Sequence, residues 1–118
     1  MIYGVLLTEV SEAAMEQNYK NIYAIIAFLG REGLLEQIYN VHEDFFIYSI
    51  ADDPEDAKPK GLFICEGSDF RAEYLDEAIN SGACCYISEQ KYENGTPAII
   101  VNDIGEAVRK VREFVTES

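Results

Sequence analysis

The chain has 118 residues, room for one domain, and 48% of them are apolar, which is enough for a real core and argues against disorder. Its 22 acidic and 9 basic side chains give a formal charge of −13 and a pI near 4.3, which argues against nucleic acid or an anionic membrane as partner. No run approaches membrane-spanning length and residues 1–7 lack the basic start of a signal peptide, so the expected compartment is the cytoplasm.

In chain order, residues 1–7 are apolar and unpatterned, fitting either a strand or the lead-in to a helix. From Glu9 the spacing turns helical, with Val10, Ala13, Ala14 and Gln17 on one side and Glu12 and Glu16 opposite. After a break at Asn18, Tyr19, Ile22, Tyr23, Ile26 and Leu29 form a stripe at helical period, with Ile25 and Phe28 as apolar surface beside it. An arc that wide predicts a helix buried on two sides or packed on another chain. The expectation is therefore a homo-oligomer or partner domain through Tyr19, Ile22, Ile25, Ile26, Phe28 and Leu29. The alternative is that residues 1–7 fold back over that surface. Gly30 and Gly33 punctuate, and Leu34, Leu35 and Ile38 predict one or two further helical turns. Residues 1–40 then read as a helical segment, and 43–118 as a sheet with its covering helices, within a single domain 1–118.

Residues 43–50 (EDFFIYSI) are aromatic and β-branched, a predicted strand. Residues 51–60 (ADDPEDAKPK) are an acidic, proline-containing loop. Residues 62–65 are apolar with no helical period, as a strand covered on both faces should be. Gly67-Ser68-Asp69 breaks the run, with Ser68 or Asp69 placed to cap a helix whose face is Phe70, Tyr74, Leu75, Ala78 and Ile79. Gly82 stops that helix in the left-handed conformation, and residues 83–87 and 97–101 are further strands. Such a strand-helix-strand unit is a right-handed crossover. Asn102 or Asp103 caps a last helix that buries Ile104, Ala107, Val108, Val111, Phe114 and Val115 and runs almost to Ser118. The expected fold class is α/β, with a mostly parallel or mixed sheet of about four or five strands flanked by helices.

An ordered set of pieces also resembles the N-terminal domain of the Mur ligases, chiefly the type that adds the third residue to UDP-N-acetylmuramoyl-dipeptide. The pieces are Gly61-Leu62-Phe63-Ile64, Gly67, Glu77-Ala78-Ile79-Asn80-Ser81-Gly82-Ala83, Pro97-Ala98-Ile99-Ile100-Val101 and Asp103-Ile104-Gly105-Glu106-Ala107. They cover about half the chain in the family's order. Residues 28–35 resemble the short Leu-rich helix that opens such domains, which leaves residues 1 to about 21 outside the pattern. The resemblance implies recognition of a UDP-N-acetylmuramoyl peptide in cell-wall biosynthesis.

The family's Asp-Ser-Arg ligand loop falls on Asp53, Pro54 and Glu55, and its second loop on Gly67-Ser68-Asp69-Phe70-Arg71. The implied substrate-binding set is Asp53, Lys60, Gly67, Ser68, Asp69 and Arg71, with Lys60 and Arg71 as compensating cations. Proline has replaced the hydroxyl and glutamate the cation, so a diphosphate beside Asp52, Asp53, Glu55 and Asp56 would be repelled and any binding should be weak.

No catalytic residue is expected. Ser68 has no His in a plausible triad, and His42, the sole histidine, reads as a surface residue at a strand entrance. No G-T-x-G-K-T/S loop occurs to hold ATP, so this chain by itself should not ligate, and ATP and magnesium would belong only to further domains. Cys65, Cys84 and Cys85 read as buried structural thiols, with the adjacent pair expected on opposite faces of a strand. No metal site is expected, because Asp52 and Asp56 have nothing to complete six oxygens around a hard cation. Two readings stay open: the recognition domain of a longer ligase, or a binding or assembly module on the same scaffold that has lost sugar-nucleotide recognition. A Rossmann-like nucleotide binder would need a G-x-G-x-x-G that is absent.

Overall fold

Three short apolar strands form the centre of the molecule, in a computed structural model that describes residues 20–116. The elements are β1 (Lys20–Asn21), α1 (Ile22–Arg31), β2 (Leu35–Tyr39), β3 (Phe46–Ile47), β4 (Ser49–Ala51), a 3-10 turn (Pro54–Asp56), β5 (Gly61–Ile64), α2 (Ala72–Asn80), β6 (Cys85–Ser88), β7 (Ala98–Val101) and α3 (Ile104–Thr116). Every residue of β5, β6 and β7 is buried, as strands between two helical layers must be. The main sheet has five strands in the order β2-β7-β6-β5-β4, with β4 to β7 parallel and β2 antiparallel on β7. The expected mixed, mostly parallel α/β sheet is what forms.

Side chains alternate between the two layers. Leu62, Ile64, Cys85, Ile87, Ile99 and Val101 pack with Ile22, Ile25 and Leu29 of α1 and Ala107 and Val111 of α3. On the other face, Phe63, Cys65, Tyr86, Ala98 and Ile100 pack with Leu75 and Ala78 of α2. Each large side chain buried in this way contributes roughly 1.5–3 kcal/mol.

Several local expectations change. The segment expected as helical turns from Leu34, Leu35 and Ile38 is instead the strand β2, Leu35–Tyr39. Gly33, at φ 75°, ends α1, and Asn102 clamps the next residues to the end of β7 by donating its N–H to Leu34 O and its Nδ2 to Gly33 O. A three-residue apolar spacing is too short to outweigh a free strand edge. Residues 43–50 divide at Tyr48: β3 pairs antiparallel with β1 in a separate two-stranded sheet, and β4 joins the main sheet. The helix after the second loop starts at Ala72 with no side-chain cap, so Ser68, Asp69 and Phe70 precede it. Phe70 instead lies edge-on to Tyr74 and Tyr92.

The α1 stripe is rotated from its expected phase. Ile22, Ile25 and Leu29 are all 0% exposed while Tyr23 is 46% exposed, so Ile25 belongs to the core. Ile26 and Phe28 are half-buried, and Phe28 stacks on Phe114 at 4.4 Å. Ile22, Ile25 and Leu29 thus offer no docking surface in this fold. Tyr19 and the helix expected from Glu9 lie outside the described residues.

Gly82 does stop α2 in the left-handed region, at φ 114°. A Cβ there would stand 2.7 Å from Pro59 Cα, so no other residue fits without backbone movement. The adjacent cysteines do not split across the sheet, because β6 begins at Cys85 and Cys84 escapes its alternation. Both pack against the α1/α3 layer.

Candidate functional site

In open α/β sheets, ligands sit outside the C-terminal ends of the parallel strands. Four loops leave that edge here, after β4, β5, β6 and β7. The loop after β4 carries Asp53, whose Oδ1 accepts from Glu55 N at 2.9 Å and thereby caps the 3-10 turn. That turn packs on α2, leaving a cleft of about 320 Å3 lined by Asp52, Asp53, Pro54, Glu55, Tyr74 and Glu77. The lining therefore holds several carboxylates and no cation, although Arg112 reaches Asp52 from beside it at 3.9 Å.

The loop after β5 carries Gly67, at φ 105°, then Ser68, Asp69 and Arg71, all exposed. Phe70 N donates to Gly67 O at 3.2 Å, and the aromatic contacts of Phe70 seat the loop against Tyr92 of the next one. Beneath them, Tyr86 Oη donates to Tyr92 O at 3.2 Å and accepts from Tyr92 N at 2.7 Å. Burial raises the Tyr86 pKa, so this buried hydroxyl stays protonated and holds the loop after β6 in place.

The amino end of α3, where an incoming anion would be welcome, is taken by the chain's own carboxylates. Glu89 Oε2 accepts from Ile104 N at 2.8 Å, and Asp103 Oδ1 from Glu106 N at 3.1 Å. Glu66 Oε2 stands 3.6 Å from where a Cβ on Gly105 would lie.

Asp53 and the Gly67–Arg71 loop therefore share one edge of the sheet, whereas Lys60 does not. Lys60 directly precedes β5, so it sits at the opposite edge, about 13 Å away at the rise of an extended strand. There it donates its N–H to Gly82 O, and its Nζ lies 5.8 Å from the Tyr48 ring. Of the expected compensating cations, only Arg71 remains near the loops. Glu66 and Glu89 carry no expectation from the sequence, while Tyr74 was expected only on a buried helix face and Glu77 only within the family pattern. Glu66 and Glu89 each follow closely on an apolar strand, and that position was the available signal. Among the described residues no group of three His, Cys, Asp or Glu side chains could hold a metal ion, and no helix is long and apolar enough to cross a membrane.

An acidic α/β domain with loops of this kind has homologues among the Mur ligases, which act on peptidoglycan precursors, over part of its length. In particular, it is 39% identical over 79 residues to the UDP-N-acetylmuramoyl-L-alanyl-D-glutamate–L-lysine ligase of Streptococcus pyogenes serotype M3, covering 66% of this chain and 16% of that protein. The ligase of the same name from Streptococcus pneumoniae serotype 4 is 34% identical over 93 residues, covering 74% of this chain and 19% of that protein. The chain thus spans less than a fifth of the length of these relatives. Among solved structures, MurF from Acinetobacter baumannii aligns over 81% of this chain and 18% of its own, with a TM-score of 0.49 and 16% identity. No family model matches the chain.

Proposed function

We propose that this chain is a non-catalytic binding module of the cell-wall ligase type, built like a Mur ligase N-terminal domain, whose first ligand loop no longer grips a sugar-nucleotide diphosphate. The observation that carries this reading is the Asp53 carboxylate turned onto its own backbone, in a cleft that also presents Asp52, Glu55 and Glu77. A phosphate placed there would meet like charges, each costing about 3 kcal/mol at 5 Å for an effective dielectric of 20, before screening by salt. Pro54 has no hydroxyl to donate, and the carboxylates already at the α3 amino end compete with any anion there.

The test is calorimetric titration with UDP-N-acetylmuramoyl dipeptide. The wild type should bind no better than roughly 50 µM, and a Pro54→Ser, Glu55→Arg variant at least tenfold tighter, a gain of about 1.4 kcal/mol. Low-micromolar binding by the wild type, lost on Arg71→Ala, would overturn the proposal.

The second reading, a recognition domain within a longer ATP-dependent ligase, is favoured by the 39% identity to lysine ligases over two-thirds of the chain. A reading frame that continues past Ser118 into a phosphate-binding loop would support it; a stop codon there would argue for the module.

A further inference from the structure

The opposite edge of the sheet holds a second cleft, of about 470 Å3, that the ligase reading does not use. Glu43, Phe45, Phe46, Tyr48, Lys60 and Cys84 line it. Phe46 and Tyr48 are 53% and 44% exposed, with ring centroids 6.1 Å apart, so they offer aromatic surface to the cleft. Lys60 faces the Tyr48 ring and has no carboxylate within ion-pair distance among the described residues, although the chain carries a charge of −13. Cys84 is half-buried, its Sγ 3.6 Å from Gly61 O. Cys85, the next residue, is wholly buried.

We propose that this cleft is a thiol-modification site, in which Cys84 exchanges with an acidic disulfide of planar or apolar body, held by Phe46 and Tyr48 with its acid group on Lys60. Cys84 first loses its proton to solvent. Its thiolate then attacks one sulfur of the ligand, the ligand's S–S bond breaks, and the electron pair leaves on the departing sulfur. One mixed disulfide and one free thiolate result. The ligand is the oxidant, so no other redox partner is required.

The surroundings of Cys84 act in opposite senses. The neighbouring Cys85 thiol lowers the Cys84 pKa most, burial opposes it, and a backbone hydrogen bond and the Lys60 charge add smaller lowerings; Glu43 is the carboxylate that also lines the cleft. The other two thiols are held protonated: burial pushes Cys65 up to about 12, and Cys85 is raised by the neighbouring Cys84 thiol and by burial. Since the thiolate is the nucleophile, the three cysteines of one chain should differ widely in rate.

The probe is 5,5′-dithiobis(2-nitrobenzoate), an aromatic disulfide bearing two carboxylates, applied to the intact chain at pH 7. One equivalent of thiolate should appear in a fast phase, and Cys84→Ser should remove that phase. Lys60→Gln should slow it at least threefold, with little change toward the neutral 2-hydroxyethyl disulfide. A fast phase that survives Cys84→Ser overturns the proposal, as does a Lys60→Gln rate equal to the wild type. Should either variant fail to fold, mass mapping of partly labelled wild type decides: label on Cys84 supports the site, and label spread evenly over the three cysteines rejects it.

Discussion

The two edges of the parallel sheet differ in a way that their residue types alone would not suggest. At the C-terminal edge, Asp53, Asp103 and Glu89 all accept from backbone N–H groups of the chain itself, so that polar edge is largely satisfied from within. At the N-terminal edge, Lys60, Phe46 and Tyr48 face a cleft with an ammonium that lacks a carboxylate partner among the described residues and with exposed aromatic rings. The edge where α/β sheets usually meet ligands is thus the closed one, and its opposite is chemically open. Loop capacity is set by where hydrogen-bonding groups are already spent, and charge composition reports that poorly.

One packed layer joins the two edges, and the largest expected effect comes from breaking it. Ile25→Ala, at a residue with no exposure, should cost about 2–5 kcal/mol by cavity formation. Urea denaturation should show the midpoint fall with an unchanged slope. A variant as stable as the wild type would mean that α1 does not seat on the sheet and that the edges are not held as one body.

Cys65, just past β5, and Cys84, just before β6, are the same residue type at opposite edges, and pH separates them. The Cys65 pKa is about 12 folded and 9.0 in its unperturbed state. The unfolded chain therefore releases that proton first as pH rises, and ionisation favours unfolding. Stability should be intact below pH 9 and decline between pH 9 and 12 by up to about 1.4 kcal/mol per pH unit from this thiol. Denaturation of the wild type and Cys65→Ala at successive pH values measures it; slopes equal above pH 9 would remove Cys65 as the cause.

The smallest effect sharpens the picture of the closed edge. Asp103→Ala removes the side-chain acceptor for Glu106 N and should cost about 1 kcal/mol, while Asp103→Asn, which keeps an oxygen, should cost less. Equal losses in both variants would show that the carboxylate acts through charge on the helix end rather than as a cap.

Much of this was legible in the chain. The runs that became β5, β6 and β7 are continuous and apolar, and the faces of α2 and α3 repeat at helical period, so burial alone determines them. Gly82 announced its turn because only glycine accepts that backbone angle next to Pro59. The loops that carry Asp53 and Gly67–Arg71 could be located along the chain because each follows a strand.

Tertiary structure decided the rest. Leu35–Tyr39 became a strand because β7 offered an unpaired edge and Asn102 a clamp, neither of which local spacing encodes. The phase of α1 followed from packing between the sheet and Phe114, which rotated Ile25 inward and Tyr23 outward. The separation of Lys60 from Asp53 and Arg71 also needed the sheet. Residues near in sequence stand at opposite ends of an extended strand, and only strand direction tells which residues share an edge.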